Sequence, residues 1–206
     1  MDNQAVETTV YSFDEAPPKG RQPRAKRHLT LYRVGALTIG DRRELCLIKN
    51  VSAGGMLIRV YSAIAPGTRL SIELKQGEPV AGMARWADKD SVGVVFDAPI
   101  DVLSLIALRV EGPRPRMPRM EVGCTATIRE GATVIRTKAV NVSQGGVQVH
   151  SSVDLPVGAD VVVTLSGLAP ERAVVKWRDG DCYGLAFNRV LAITQLVAWL
   201  QAQQSA

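Results

Sequence analysis

The sequence predicts a mainly β protein made of two tandem domains of one fold, each a set of short antiparallel strands closed by an amphipathic helix. Three observations predict it. The first is a long repeat: Asn50-Val51-Ser52-Ala53-Gly54-Gly55 returns 91 residues later as Asn141-Val142-Ser143-Gln144-Gly145-Gly146. The same offset carries Gly67 to Gly158, Leu74 to Leu165 and Pro79 to Pro170. It also carries Arg85-Trp86 to Lys176-Trp177, Gly93 to Gly184, Phe96 to Phe187 and Asp97 to Asn188. The second is a series of short apolar runs at spacings of roughly 8–12 residues, the pattern of a barrel or sandwich. The third is a change of hydrophobic period from two to 3.6 at the end of each copy.

The elements follow in order. In the first copy the strands are expected at Leu29–Ile39, Leu45–Lys49, Gly55–Val60, Arg69–Leu74, Val80–Trp86 and Ser91–Phe96. Turn residues separate them, as in Ala65-Pro66-Gly67 and Ala87-Asp88-Lys89-Asp90. The second copy repeats the series from Met120 to Phe187. After it, Ile193, Leu196, Val197 and Leu200 fall on one helical face, with Asn188 as the expected N-cap. Val102, Leu105 and Ile106 are placed similarly in the first copy, behind Asp97. These helical faces are expected to cover their own cores.

Residues outside the repeats are different material. Residues 1–23 read as a disordered arm, acidic to Pro17 and basic from Pro18 onward. The domains are expected at 24–110 and 120–206, joined by an Arg/Pro-rich linker at 111–119. A polar, Pro-rich linker predicts two barrels loosely oriented to one another.

Composition narrows the function classes. The 206 residues are 46% hydrophobic but only 5% aromatic, so the cores rest on Val, Leu, Ile and Ala. No apolar run reaches the length of a membrane-spanning helix and no signal-type stretch opens the chain, so a cytoplasmic protein with no membrane span is expected. Cys46, Cys124 and Cys182 are scattered, and the two histidines, His28 and His150, complete no metal-ligand spacing. Neither copy pairs an acid, base or nucleophile with a supporting group. The expectation is a binding protein, not an enzyme, with no metal and no cofactor.

The chemistry that stands out is arginine beside a polar, glycine-rich turn. Arg24 and Arg27 precede the first copy; Arg114, Arg116 and Arg119 precede the second. Guanidinium groups pair bidentately with phosphate and stack on aromatic planes. Asn and Ser offer donors and acceptors for a base edge, and paired glycines let a backbone come close. The combination suits a small anionic ligand that contains bases. The plainer reading is that Asn, Ser and Gly simply make a turn, duplicated with the domain. Trp86 and Trp177 are expected to pack beneath the barrels, ligand stacking being the lesser alternative.

These features resemble PilZ domains: an arginine-rich lead, Asn-x-Ser-x-x-Gly some two dozen residues later, a strand ending in Arg/Lys-Trp, and Gly-x-x-Phe before a helix. The resemblance covers nearly all of the chain after the N-terminal arm, twice. It implies two six-stranded antiparallel β-barrels, and cyclic di-GMP as the ligand, with an RxxxR pair gripping phosphates and the Asn/Ser/Gly motif contacting guanine. The second motif maps onto Asn50, Ser52 and Gly55, and onto Asn141, Ser143 and Gly146. The first is degenerate in both copies: Arg24 stands four residues before His28, and Arg119 four residues after Pro115. Arg24 and Arg27, or Arg114, Arg116 and Arg119, would supply the guanidiniums in another register, and the second copy is the better furnished. The implied function is a cyclic di-GMP receptor that relays the signal to a protein partner. The alternatives are an adaptor that has lost the ligand and, last, a basic nucleic-acid-binding barrel, which the low aromatic content argues against.

Overall fold

The computed structural model describes residues 29–75, 78–102 and 117–204. Strands β1 (Leu29–Ile39), β2 (Arg42–Ser52), β3 (Gly55–Arg59), β4 (Arg69–Lys75), β5 (Glu78–Asp88) and β6 (Ser91–Phe96) close into an antiparallel barrel in the order β1-β2-β3-β6-β5-β4. The second copy lays down β7 (Met120–Glu121), β8 (Thr125–Glu130), β9 (Thr133–Ser143), β10 (Gly146–His150), β11 (Asp160–Leu165), β12 (Glu171–Asp179) and β13 (Cys182–Phe187). Strands β8 to β13 close a six-stranded barrel through the β9–β10 pairing, and β7 adds to the side of β9. A helix, Ile193–Gln204, ends the described chain.

The 91-residue offset holds in the backbone itself. Left-handed residues recur as Gly40 and Gly131, Gly67 and Gly158, and Lys89 and Gly180. Lys89 adopts φ 52° where its counterpart Gly180 takes φ 56°. The bulges recur too. Lys49 is the extra residue of β2 opposite β3, and Val140 that of β9 opposite β10. Arg85 and Lys176 are the extra residues before the two tryptophans. The lead strands differ: β1 runs unbroken through a register shift, whereas its counterpart is divided into β7 and β8.

Each barrel has its own apolar interior. Cys46, Ile48, Ile58, Ile72 and Val92 fill the first, and Ile128, Val149, Val163, Val175 and Tyr183 the second. Burial in the first core pushes the Cys46 thiol up to about 12.

Leu45 breaks the pattern. Neighbours on a strand point to opposite faces, so with Cys46 inside, Leu45 lies on the outer surface of the first barrel. It is nevertheless only 3% exposed, because it packs into the apolar cluster of the second domain. Val34 and Tyr61 pack against the same cluster. The C-terminal helix supplies the cover. Leu45, Tyr61, Met120, Val197 and Leu200 line one small crevice, and Gln201 Nε2 donates to the Tyr61 carbonyl at 3.0 Å. The two barrels are therefore not loosely oriented, as the linker composition suggested. The helix covers its own barrel through Leu196 and Trp199, with Trp199 Nε1 donating to the Ser166 carbonyl at 2.8 Å, and seats its other side on the first barrel.

The helix caps also differ from expectation. Asn188 lies five positions before Ile193 and does not cap the helix. Its backbone N–H continues the barrel by donating to the Arg172 carbonyl at 2.8 Å. Asp97 instead holds the Arg69 guanidinium through both oxygens, at 2.8 and 2.7 Å. The predicted first helix lies outside the described residues beyond Val102, which is buried in the first core.

Two outcomes follow. Leu45→Arg places at the seam the residue type that Arg136 provides at the matching position of the second barrel. Both barrels should still fold, but the lost contact costs about 2–5 kcal/mol, and small-angle scattering should show a larger radius of gyration. Cys46 should stay unreactive to a thiol reagent at pH 8 in the native protein, since the thiolate is the reactive form; partly exposed Cys182 should react first.

Candidate ligand site on the outer face of the second barrel

The Asn-x-Ser-x-Gly-Gly motif is not a free loop. Asn141 and Ser143 end β9, Gly146 begins β10, and only Gln144 and Gly145 turn between them. The first copy repeats this with Ser52 paired to Gly55 across Ala53 and Gly54. The serines close the turns: Ser52 Oγ donates to the Gly55 carbonyl at 3.0 Å and Ser143 Oγ to the Gly146 carbonyl at 3.4 Å. The glycines are required by close approach, because a Cβ on Gly146 would overlap the Leu185 carbonyl oxygen, and one on Gly55 that of Val94. The turns are also tied to the exit segments, through Ile100 N–H to the Ala53 carbonyl at 2.9 Å and Leu191 N–H to the Gln144 carbonyl at 2.8 Å. Serine and glycine thus build the corner in both copies, and asparagine is left to present itself.

Where Asn141 points follows from the bulge before it. Val142, Val147, Val149, Tyr183 and Leu185 fill the interior, so Asn141, Gln148 and Gly184 face outward. The register sets them side by side: Glu121 opposite Asn141, Asn141 opposite Gln148, Gln148 opposite Gly184, and Gly184 opposite Trp177. Arg119 Nη1 donates to Asn141 Oδ1 at 3.2 Å, and Asn141 Nδ2 donates to Gln148 Oε1 at 2.7 Å. Each partner fixes one end of the Asn141 amide. Met117 lies over the turn, since a Cβ on Gly145 would sit 3.4 Å from its sulfur. The last residues of the expected linker thus run along the second barrel.

The tryptophans are not beneath the barrels. Trp177 lies on the outside across Gly184, where any side chain at that glycine would collide with the indole, and it stays 36% exposed. Trp86 lies across Gly93 in the same way. The correction has a physical reason: the bulge at Lys176 flips the following side chain outward, and the bare glycine strand gives the ring a flat seat. Trp177 and Gln148 were not among the sequence-derived site residues. The register of the Asn-x-Ser hairpin against the Gly-x-x-Phe strand was the available signal for both.

The first barrel presents a poorer version. Asn50 stands opposite Leu57, where the second copy has Gln148, and opposite Thr30, where it has Glu121. No side-chain hydrogen bond holds Asn50 among the described residues. Arg24, Arg27, Arg114 and Arg116 lie outside the described residues, so Arg119 is the only one of the proposed arginines whose position is given. Among the described residues no group of His, Cys, Asp or Glu assembles to hold a metal, and no helix is long and apolar enough to cross a membrane.

Solved structures similar to this chain are found at low identity. Borreliella burgdorferi PlzA, in complex with cyclic di-GMP, is 12% identical, with a TM-score of 0.40 over 82% of this chain and 86% of that one. The Bacillus subtilis inhibitor of motility MotI is 15% identical, with a TM-score of 0.35 over 86% and 98%. K. pneumonia MrkH, also in complex with cyclic di-GMP, is 14% identical, with a TM-score of 0.35 over 84% and 90%. No curated protein matches the chain. The PilZ domain profile matches twice, over residues 19–109 and 113–202, one match for each barrel. With both barrels matched in succession, the chain belongs to the PilZ domain family as a tandem of two PilZ domains.

Proposed function

We propose that this chain is a cyclic di-GMP receptor whose working site is on the second barrel and whose output is read by a protein partner. The observation that carries the reading is the hydrogen-bonded row Arg119–Asn141–Gln148 on an outer face that continues to an exposed indole at Trp177. Each group has a task that such a ligand requires. Arg119 offers a guanidinium for a phosphate at one end of the row. The amides of Asn141 and Gln148 pair with a base edge, and Trp177 offers a plane for a base to stack on. Glu121 flanks Asn141, and its carboxylate opposes a phosphate there, which keeps the phosphates on the Arg119 side. Arg114 and Arg116, five and three residues upstream of Arg119, add positive charge to the same stretch of sequence.

The first barrel is read differently. Its Ser52 and Gly55 are fully accounted for by the turn, and Asn50 faces leucine instead of an amide. We assign it the role of a scaffold that seats the C-terminal helix, with Arg24 and Arg27 contributing little to ligand affinity.

Calorimetric titration of the full chain with cyclic di-GMP tests the reading. Binding should weaken as salt rises, because arginine–phosphate pairing is screened. A hydrogen bond to a charged group contributes about 1.5–3 kcal/mol. Arg119→Ala and Asn141→Ala should therefore each weaken binding about 10–150-fold, with partial recovery in Arg119→Lys, while Asn50→Ala leaves affinity unchanged. A flat titration at low salt would favour a ligand-free adaptor instead, and tighter binding to single-stranded oligonucleotides would favour the nucleic-acid class.

The indole supplies an independent readout. In a Trp86→Phe background, which keeps Trp177 and the buried Trp199, saturating cyclic di-GMP should quench the fluorescence, and adding Trp177→Phe should abolish the quench. Trp177→Ala should lose affinity by about 1–3 kcal/mol, the worth of one stacked base.

A further inference from the structure

The two barrels use one outer face in opposite ways. On the first, Leu45 and Tyr61 form an apolar seat for the C-terminal helix, and Val34 packs against the same apolar cluster. Their counterparts on the second are Thr125, Arg136 and Ser152, all polar. From Val134 to the bulge the side chains of β9 alternate between exposed and buried, with Arg136 and Lys138 on the exposed side. Arg129, on β8, and His150, opposite Lys138 on β10, share that surface. All four residues are exposed, and Arg129, Arg136 and Lys138 have no ion pair or hydrogen-bond partner for their side chains among the described residues. Elsewhere the arginines facing outward are mostly paired, as Arg43 with Glu73, Arg59 with Asp90 and Arg178 with Asp154. The β8–β9 face thus includes the surface that takes a helix in the first domain, with Arg136 where the first has Leu45 and Lys138 where it has Leu47.

We propose that the outer face of β8 and β9, carrying Arg129, Arg136 and Lys138, is a docking site for an acidic helical segment of a protein partner. The shape argument is internal to the molecule. A helix is about 10 Å across and strands are about 4.8 Å apart, so one helix covers two strands; on the first barrel the helix lies beside Leu45 of β2 and Tyr61 just beyond β3. The charge argument selects the occupant. An apolar helix cannot replace the water around three unpaired cations, whereas carboxylates spaced along one helical face meet them from a solvated approach. A nucleic-acid backbone would be drawn by the same charge, but the repeated helix seat favours the protein. The site adjoins the ligand row, which occupies β9 beyond the bulge together with β10, β13 and β12.

The test uses the full chain and a fluorescein-labelled helical peptide of about 16 residues, roughly 24 Å long, composed of Ala, Leu and Glu. Three comparison probes are the same peptide with Lys for Glu, a version broken by central prolines, and a DNA duplex. Fluorescence anisotropy should show binding of the acidic helix. The triple reversal Arg129→Glu/Arg136→Glu/Lys138→Glu should weaken it about tenfold or more. Arg85→Glu/Lys89→Glu, which removes cations from the first barrel, should change it less than about twofold. If reversal lowers the melting temperature, the neutral triple to Gln gives the same comparison. Equal loss from both sets of substitutions, equal binding of the proline-broken peptide or absence of peptide binding would overturn the proposal. Tighter binding of the duplex would reassign the face to nucleic acid. Concentration-dependent self-association abolished by the triple reversal would reassign it to a second copy of this chain.

Discussion

Each barrel depends on one close approach of backbones. At Gly146 the chain turns out of β9 and comes so near the Leu185 carbonyl that a methyl group would not fit; Gly55 stands in the same relation to Val94. That approach lets β10 pair simultaneously with β9 and β13, and so closes the ring. The serine hydroxyl completes the corner from within, and the following exit segment is hydrogen-bonded to the turn carbonyl. With the corner held on three sides, the asparagine three residues before the turn has one direction to face. The motif that looks like a ligand signature is first a piece of barrel architecture, and the site is built on the one side chain that the corner does not use.

Duplication then made two copies of a rigid frame, and a few outward positions separated their roles. Arg136 against Leu45 converts a solvated surface into an interdomain seat. Gln148 against Leu57 converts a bare asparagine into one held at both ends. These exchanges leave the interior unchanged because strand neighbours face opposite ways, so outer positions vary without touching the core. The C-terminal helix joins the two roles: it caps the barrel that carries the ligand row and leans on the barrel that does not. Met120, next to Arg119, lines the crevice between helix and first barrel. The ligand row and the interdomain seam are therefore one residue apart along the chain.

Much of the candidate site was legible before any fold was known. The repeat located both Asn-x-Ser-x-Gly-Gly motifs, and arginine content ranked the second copy above the first; in that copy Arg119 stands beside Asn141. What could not be read was adjacency across strands. Gln148 and Trp177 are 29 residues apart in sequence, and only the shared register with Gly184 sets them in one row. Trp177 was expected inside because large aromatics usually are; a one-residue bulge at Lys176 turned it out.

By itself the sequence determined the number of domains, their strand content and the corner motif. All of these follow from local rules of periodicity, turn chemistry and the fixed 91-residue offset. The tertiary structure alone decided which surfaces are outer and occupied. Leu45 reads as one more core residue in a strand, and only the helix lying across it shows that it belongs to the other domain. Such pairings join residues more than a hundred positions apart, where no local preference acts, and they are settled by which apolar surfaces remain to be covered once each barrel has closed.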